Sequence, residues 1–151
     1  MNQAQNTKFV AINADLTVDD AAFATTPIDT LGYDYCQIVL HFGDVPADVA
    51  EIKVQECDEV GGTYADVVGT DVGTDANSDG DVSALPADGD DNAVVVIELD
   101  LRDRQRFLDL AVTAGDGSGS PTEMSAVALL SRAKVDPVAV ADRGVAEVLR
   151  V

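Results

Sequence analysis

From Tyr35 to Phe42 the side chains alternate between two faces. Cys36, Ile38, Leu40 and Phe42 fall on one face, and Tyr35, Gln37, Val39 and His41 on the other. A period of two is the mark of a strand buried on one side. Glu51 to Cys57 repeats the pattern with Ile52 and Val54 inward. Asn92 to Leu101 places Val95, Ile97, Leu99 and Leu101 on one face, and Arg106 to Ala114 keeps Leu108, Leu110 and Val112 in phase. Lys8 to Ala14 and Tyr64 to Val68 read as shorter strands. Ser125 to Ala133 reads as the last core strand, although its alanines also suit a helix.

The spaces between these runs are rich in turn formers. Gly61-Gly62 gives a hairpin-like signal after Cys57. Thr17 to Thr30 reads as extended chain and turn, with room for one helical turn around Asp19 to Phe23. Gly115 to Pro121 reads as a flexible turn. Gly69 to Asp91 is a long Asp-, Gly-, Ser- and Thr-rich loop anchored by Leu85-Pro86. Short strands separated by such turns, with no βαβ alternation, predict an all-β, antiparallel β-sandwich of jelly-roll type. The sandwich is expected over residues 8–134, with extended arms at 1–7 and 135–151. In the second arm Val138, Val140, Val145, Val148, Leu149 and Val151 call for a surface to pack on. Ile38, Leu40, Phe42, Ile52, Val54, Ile97, Leu99, Leu108 and Leu110 are the expected core.

Composition narrows the function. The 151 residues carry a formal net charge of −19, and lysine occurs only at Lys8, Lys53 and Lys134. Such a chain repels phosphate backbones and anionic bilayers, so neither nucleic acid nor membrane is expected as a partner; cations and basic protein surfaces fit it better. No basic start followed by an apolar run suggests a signal peptide. No stretch approaches the ~20 apolar residues of a membrane span.

Few residues offer chemistry. His41 is the sole histidine, and no nucleophile is marked beside it, so no acid–base constellation can be named and the chain is expected not to be an enzyme. Cys36 is in phase with Ile38 and Leu40, whereas Cys57 is out of phase with Ile52 and Val54, which argues against a disulfide between them. Arg102, Arg104 and Arg106, with Asp100 and Asp103, read as a hairpin turn laced with ion pairs, or else as an intersubunit or capsid contact. Asp75, Asn77, Asp79 and Asp81, with Gly80 at the sixth position, match the start of a calcium loop. Alternate oxygen-bearing side chains around a tight turn suit that ion. Pro86 stands where the twelfth-position Glu would be, and Asp88, Asp90 or Asp91 could supply the carboxylate instead.

Four stretches carry a resemblance: DTLGYDYCQIVLHFG, IKVQECDEVGGTYADVVGTD, ELDLRDRQRFLDLAVTAGDG and AVALLSRAKVDPVAVADRG. Their order resembles small proteins encoded beside major capsid genes in tailed bacteriophages, over the chain from Asp29 onward. The acidic stretch Asp75 to Asp91 does not map onto that pattern. The resemblance implies a β-sandwich head decoration, or cement, protein. It would be made in the host cytoplasm and carried on the virion surface, bound to the major capsid protein and associating as a dimer or trimer. The alternative function is a calcium-dependent surface- or carbohydrate-binding sandwich using the acidic loop. With no Trp and three Tyr, it has little aromatic platform for sugars.

Overall fold

The computed structural model describes residues 6–77, 79–134 and 140–146. Two antiparallel sheets face each other. The first has the order β1 (Lys8–Val18), β9 (Thr122–Ala133), β4 (Tyr33–Phe42), β7 (Val94–Asp100). The second has β2 (Ala22–Ala24), β8 (Phe107–Thr113), β5 (Glu51–Cys57), β6 (Ala65–Asp66), with β3 (Ile28–Asp29) also on β8. The chain crosses between the sheets repeatedly, and β7, β8 and β9 alternate first, second, first. The expected all-β sandwich is the observed architecture.

All nine expected core residues lie in one buried cluster, together with Ile28, Val45, Val112 and Leu130. The alternation in β4 is seen in its burial, where Cys36, Ile38, Leu40 and Phe42 are enclosed. β9 settles the ambiguity of its alanines. Ala126, Ala128 and Leu130 alternate into the core, and Ala128 lies between Ile38 of β4 and Val10 of β1. Long-range pairing on both flanks overrides the local helical preference of alanine. The strand also begins three residues earlier than its pattern suggested, because Thr122 is buried and pairs with Val18.

Three connections differ from the sequence reading. No helical turn forms at Asp19 to Phe23. The chain bends at Asp19-Asp20, where Asp20 adopts φ 45°, and enters β2. The bend aims the Asp19 carboxylate at the β8–β9 turn, where it accepts hydrogen bonds from Gly117 N (2.8 Å) and Gly119 N (3.0 Å). That turn is therefore tied down by a residue far away in sequence. The arginine-rich segment is not a hairpin, since β7 and β8 belong to different sheets. Its arginines disperse: Arg102 pairs with Asp100, Arg104 with Glu56 and Arg106 with Asp29.

Most of residues 1–7 and 135–151 lies outside the described residues. Of the described part, Asn6 Oδ1 accepts a hydrogen bond from Ala133 N at 2.5 Å. The 140–146 segment runs beside β1, with Phe9 N donating to Arg143 O at 2.7 Å. Gly144, at φ +69°, passes so close that a Cβ would collide with the carbonyl oxygen of Phe9. Only glycine fits there.

Leu40→Ala and Leu108→Ala should each lower the free energy of unfolding by about 2–5 kcal/mol, because each empties a fully enclosed site. Urea unfolding monitored by circular dichroism measures this. A loss below ~0.5 kcal/mol at both positions would mean that the inner faces are assigned wrongly.

Candidate interaction surface

The outer faces of the two sheets differ in kind. On the first sheet Val39 is flanked by Val96 on β7 and Val127 on β9, and Val127 in turn faces Ala11 on β1. Leu129 lies between Gln37 and Phe9. These residues share the face that period two turns away from the core. Val94 and Val96 are 57% and 50% exposed. The result is an apolar band across all four strands, larger than isolated surface valines require.

Polar groups close both ends of the band. At one end stands His41, level with Val94 and Ser125. His41 is exposed, and none of the described Ser or Cys side chains is hydrogen-bonded to it. At the other end the Arg132 guanidinium sits 5.1 Å from the centre of the Tyr35 ring. Gln37 Nε2 donates to Glu98 Oε1 at 2.5 Å. Burial and the neighbouring Glu98 carboxylate raise the Tyr35 phenol above its ordinary value. The Arg102 guanidinium holds the Asp100 carboxyl well below the usual carboxylate range.

The second sheet presents charge instead. Lys53 pairs with Glu51 (2.9 Å) and Asp66 (3.1 Å), and Asp66 also accepts from Gln55. Arg106 grips Asp29 through two parallel hydrogen bonds of 2.9 and 2.7 Å and stacks over Phe107. Its guanidinium lowers the Asp29 carboxyl from its ordinary value. In the middle of this face Asp109 is 5% exposed, level with Gln55 on β5, and its Oδ1 has no hydrogen-bond partner among the described residues. Burial pushes its carboxyl up to about 6. Nothing in the sequence singled out Asp109: it falls between the inward Leu108 and Leu110, where alternation places a solvent-facing residue, and its burial is a product of the fold.

The acidic loop folds along the side of the sandwich, where β7 is the last strand of its sheet. Its carboxylates mainly bind their own backbone. Asp75 Oδ2 accepts from Gly69 N and Asp71 N, and Asn77 Oδ1 from Asp79 N and Asp81 N. Ala76 and Val82 pair across the turn. The Asp75 and Asn77 side chains are thereby engaged by separate backbone groups, and Asp79 and Asp81 offer their N–H groups to Asn77. Among the described residues no three His, Cys, Asp or Glu side chains converge as a metal site. The Leu85-Pro86 anchor is observed: Pro86 is buried, its carbonyl accepts from Val49 N at 2.9 Å, and Leu85 packs on the core. Between this loop and β7 lies a cleft of about 470 Å³, lined by Val72, Val96, Asp71, Asp75, Glu98 and Tyr35 among others. Its walls come from separate segments of the chain, so no local pattern could announce it.

The two cysteines are both free and buried. Cys36 lies in the core, where burial pushes its thiol up to about 12. Cys57 faces the other side of its own sheet, where a Cβ on Gly62 would meet its Sγ at 2.5 Å.

The folded chain holds the Asp109 proton more tightly than the unfolded chain, whose carboxyl has the ordinary value of 3.8. Its contribution should therefore make the protein less stable as pH rises from 3.8 to about 6, with the full loss above that window. Asp109→Asn should remove that part of the pH dependence and leave it unchanged elsewhere. Urea unfolding of both chains across this range tests it, and parallel stability curves would refute the assignment.

No family model and no curated protein matches the chain. Among solved structures it is similar to a chain of the Bacillus endospore appendages, described as "a novel family of disulfide-linked pili". The identity is 10%, with 87% of this chain and 93% of that one covered, at a TM-score of 0.42. A likeness at that level carries no argument about what this protein does.

Proposed function

We propose that the protein is a non-enzymatic structural subunit of a tailed-phage head, a decoration or cement protein that seats the outer face of its first sheet on the major capsid protein. The observation that carries this reading is the apolar band centred on Val39, Val96 and Val127. A sandwich needs only one apolar face per sheet, the inner one. A second apolar face turned to water is a binding surface in search of a partner. The resemblance of the chain from Asp29 onward to proteins encoded beside major capsid genes supports that partner. Repetition on a lattice would offset the modest strength of one such contact through avidity. The acidity of the chain keeps it off packaged nucleic acid and favours the basic patches of a protein shell.

Mass spectrometry of purified virions, with copies counted against the major capsid protein, tests the assignment. A lattice-wide stoichiometry is expected, and absence from the particle would overturn it. Val39→Asp and Val96→Asp should leave the melting temperature within about 2 °C, as outward-facing positions do. Each should weaken binding to undecorated heads at least about tenfold by placing an unpaired charge in an apolar contact. Heads that bind both variants as tightly as the parent would place the contact elsewhere.

A further inference from the structure

We infer that the outer edge of β7 is an acceptor for an extended, basic segment of a partner polypeptide, which adds to the first sheet as a further strand. The pairing of β4 with β7 fixes which backbone groups are free. Phe42 N donates to Ala93 O and Leu101 N to Asp34 O, and every β4–β7 pair lies in the same register. In an antiparallel ladder hydrogen-bonded pairs alternate with non-bonded ones. The bonded pairs are therefore Leu40 with Val95, Ile38 with Ile97 and Cys36 with Leu99. The N–H and C=O groups of Val94, Val96, Glu98 and Asp100 consequently point away from β4, and among the described residues none has a backbone partner. The opposite edge of the sheet is treated differently, since β1 is met by the 140–146 segment at Phe9. An uncovered edge of this length is a template for another strand.

The surroundings say what kind of strand. The acidic loop stands off from β7 and leaves the cleft of about 470 Å³ between them, so there is room beside the edge. One wall offers Val72 and Val96, against which the aliphatic stem of a lysine or arginine can lie. Asp71, Asp75 and Glu98 supply carboxylates around the same space. A strand that alternates basic and apolar residues would send its basic side chains to the face of Val94, Val96 and Glu98, where the cleft opens, and its apolar ones to the opposite face, toward Val95 at the margin of the core. A second copy of this chain fits poorly. Each β7 edge carries Glu98 and Asp100, and two chains of net charge −19 repel each other. This inference does not rest on the virion assignment: it needs the free backbone groups of the β7 edge, although its cleft shares Val96 with the outer face.

The test is a titration of the ¹⁵N-labelled full chain, followed by NMR, with a blocked peptide of alternating lysine and valine about as long as β7. Amide signals of Val94, Val96, Glu98 and Asp100 should shift, and their hydrogen exchange should slow about tenfold or more. A peptide with glutamate in place of lysine should bind at least about tenfold more weakly, as like charges at an edge require. Val96→Pro removes an outward N–H without disturbing the β4 ladder and should abolish the effect. Glu98→Lys, a folded control with its own amide spectrum, should lose most of the preference for the lysine peptide. No perturbation at millimolar peptide, perturbation confined to other strands, equal binding of the glutamate peptide, or a concentration-dependent dimer abolished by Val96→Pro would each overturn the inference.

Discussion

The contact on which the rest of the molecule depends is the meeting of two period-two faces. Ile38, Leu40 and Phe42 of β4, with Ile97 and Leu99 of β7, belong to one buried cluster with Ile52, Val54, Leu108 and Leu110 of the opposite sheet. Burial of this apolar surface is the dominant favourable term in folding. It also fixes register: a slip of one residue in β4 would put Cys36, Ile38 and Leu40 in water and His41 and Gln37 in the core. Once β4 is fixed, β9 and β7 are placed on either side of it, and Val39, Val96 and Val127 are set level on the outer face. The outer apolar band is thus a by-product of the core register.

The acidity has a second explanation beside partner choice. Asp19, Asp48, Asp75, Asp90 and Asp91 each accept at least one hydrogen bond from a backbone N–H of a turn or loop. With almost no helix, this chain has many backbone donors outside regular ladders, and short carboxylates are well suited to satisfy them. Part of the negative charge is therefore structural. Other carboxylates, Glu98 and Asp71 among them, line the cleft beside β7.

The strands were legible because their alternation is a local property. The inward faces of β4, β5, β7 and β8 could be read residue by residue, and the anchoring of the acidic loop by Leu85-Pro86 likewise. What could not be read was which strand belongs to which sheet. The segment with Arg102, Arg104 and Arg106 looks like a hairpin because two strong strands flank a short charged turn, yet it crosses between the sheets. Its ion pairs reach Asp29 and Glu56, residues that only the fold brings near. The outer apolar band was hidden for the same reason. On its own strand's outer face Val39 stands between Gln37 and His41, and only strand pairing sets it beside Val96 and Val127. The four oxygen-bearing residues of the acidic loop matched a ligand spacing, but a spacing does not specify the loop path. Here the path turns Asp75 and Asn77 toward backbone N–H groups.

The central claim is that the outer face of the first sheet is the attachment surface of a capsid-bound structural protein. A reconstruction of the decorated head by electron cryomicroscopy, at a resolution that separates strands, addresses it most directly. The account predicts density for this sandwich on the shell, with β4, β7 and β9 facing the major capsid protein and the charged second sheet facing solvent. Density with the second sheet against the shell, or a shell without this protein, would contradict it.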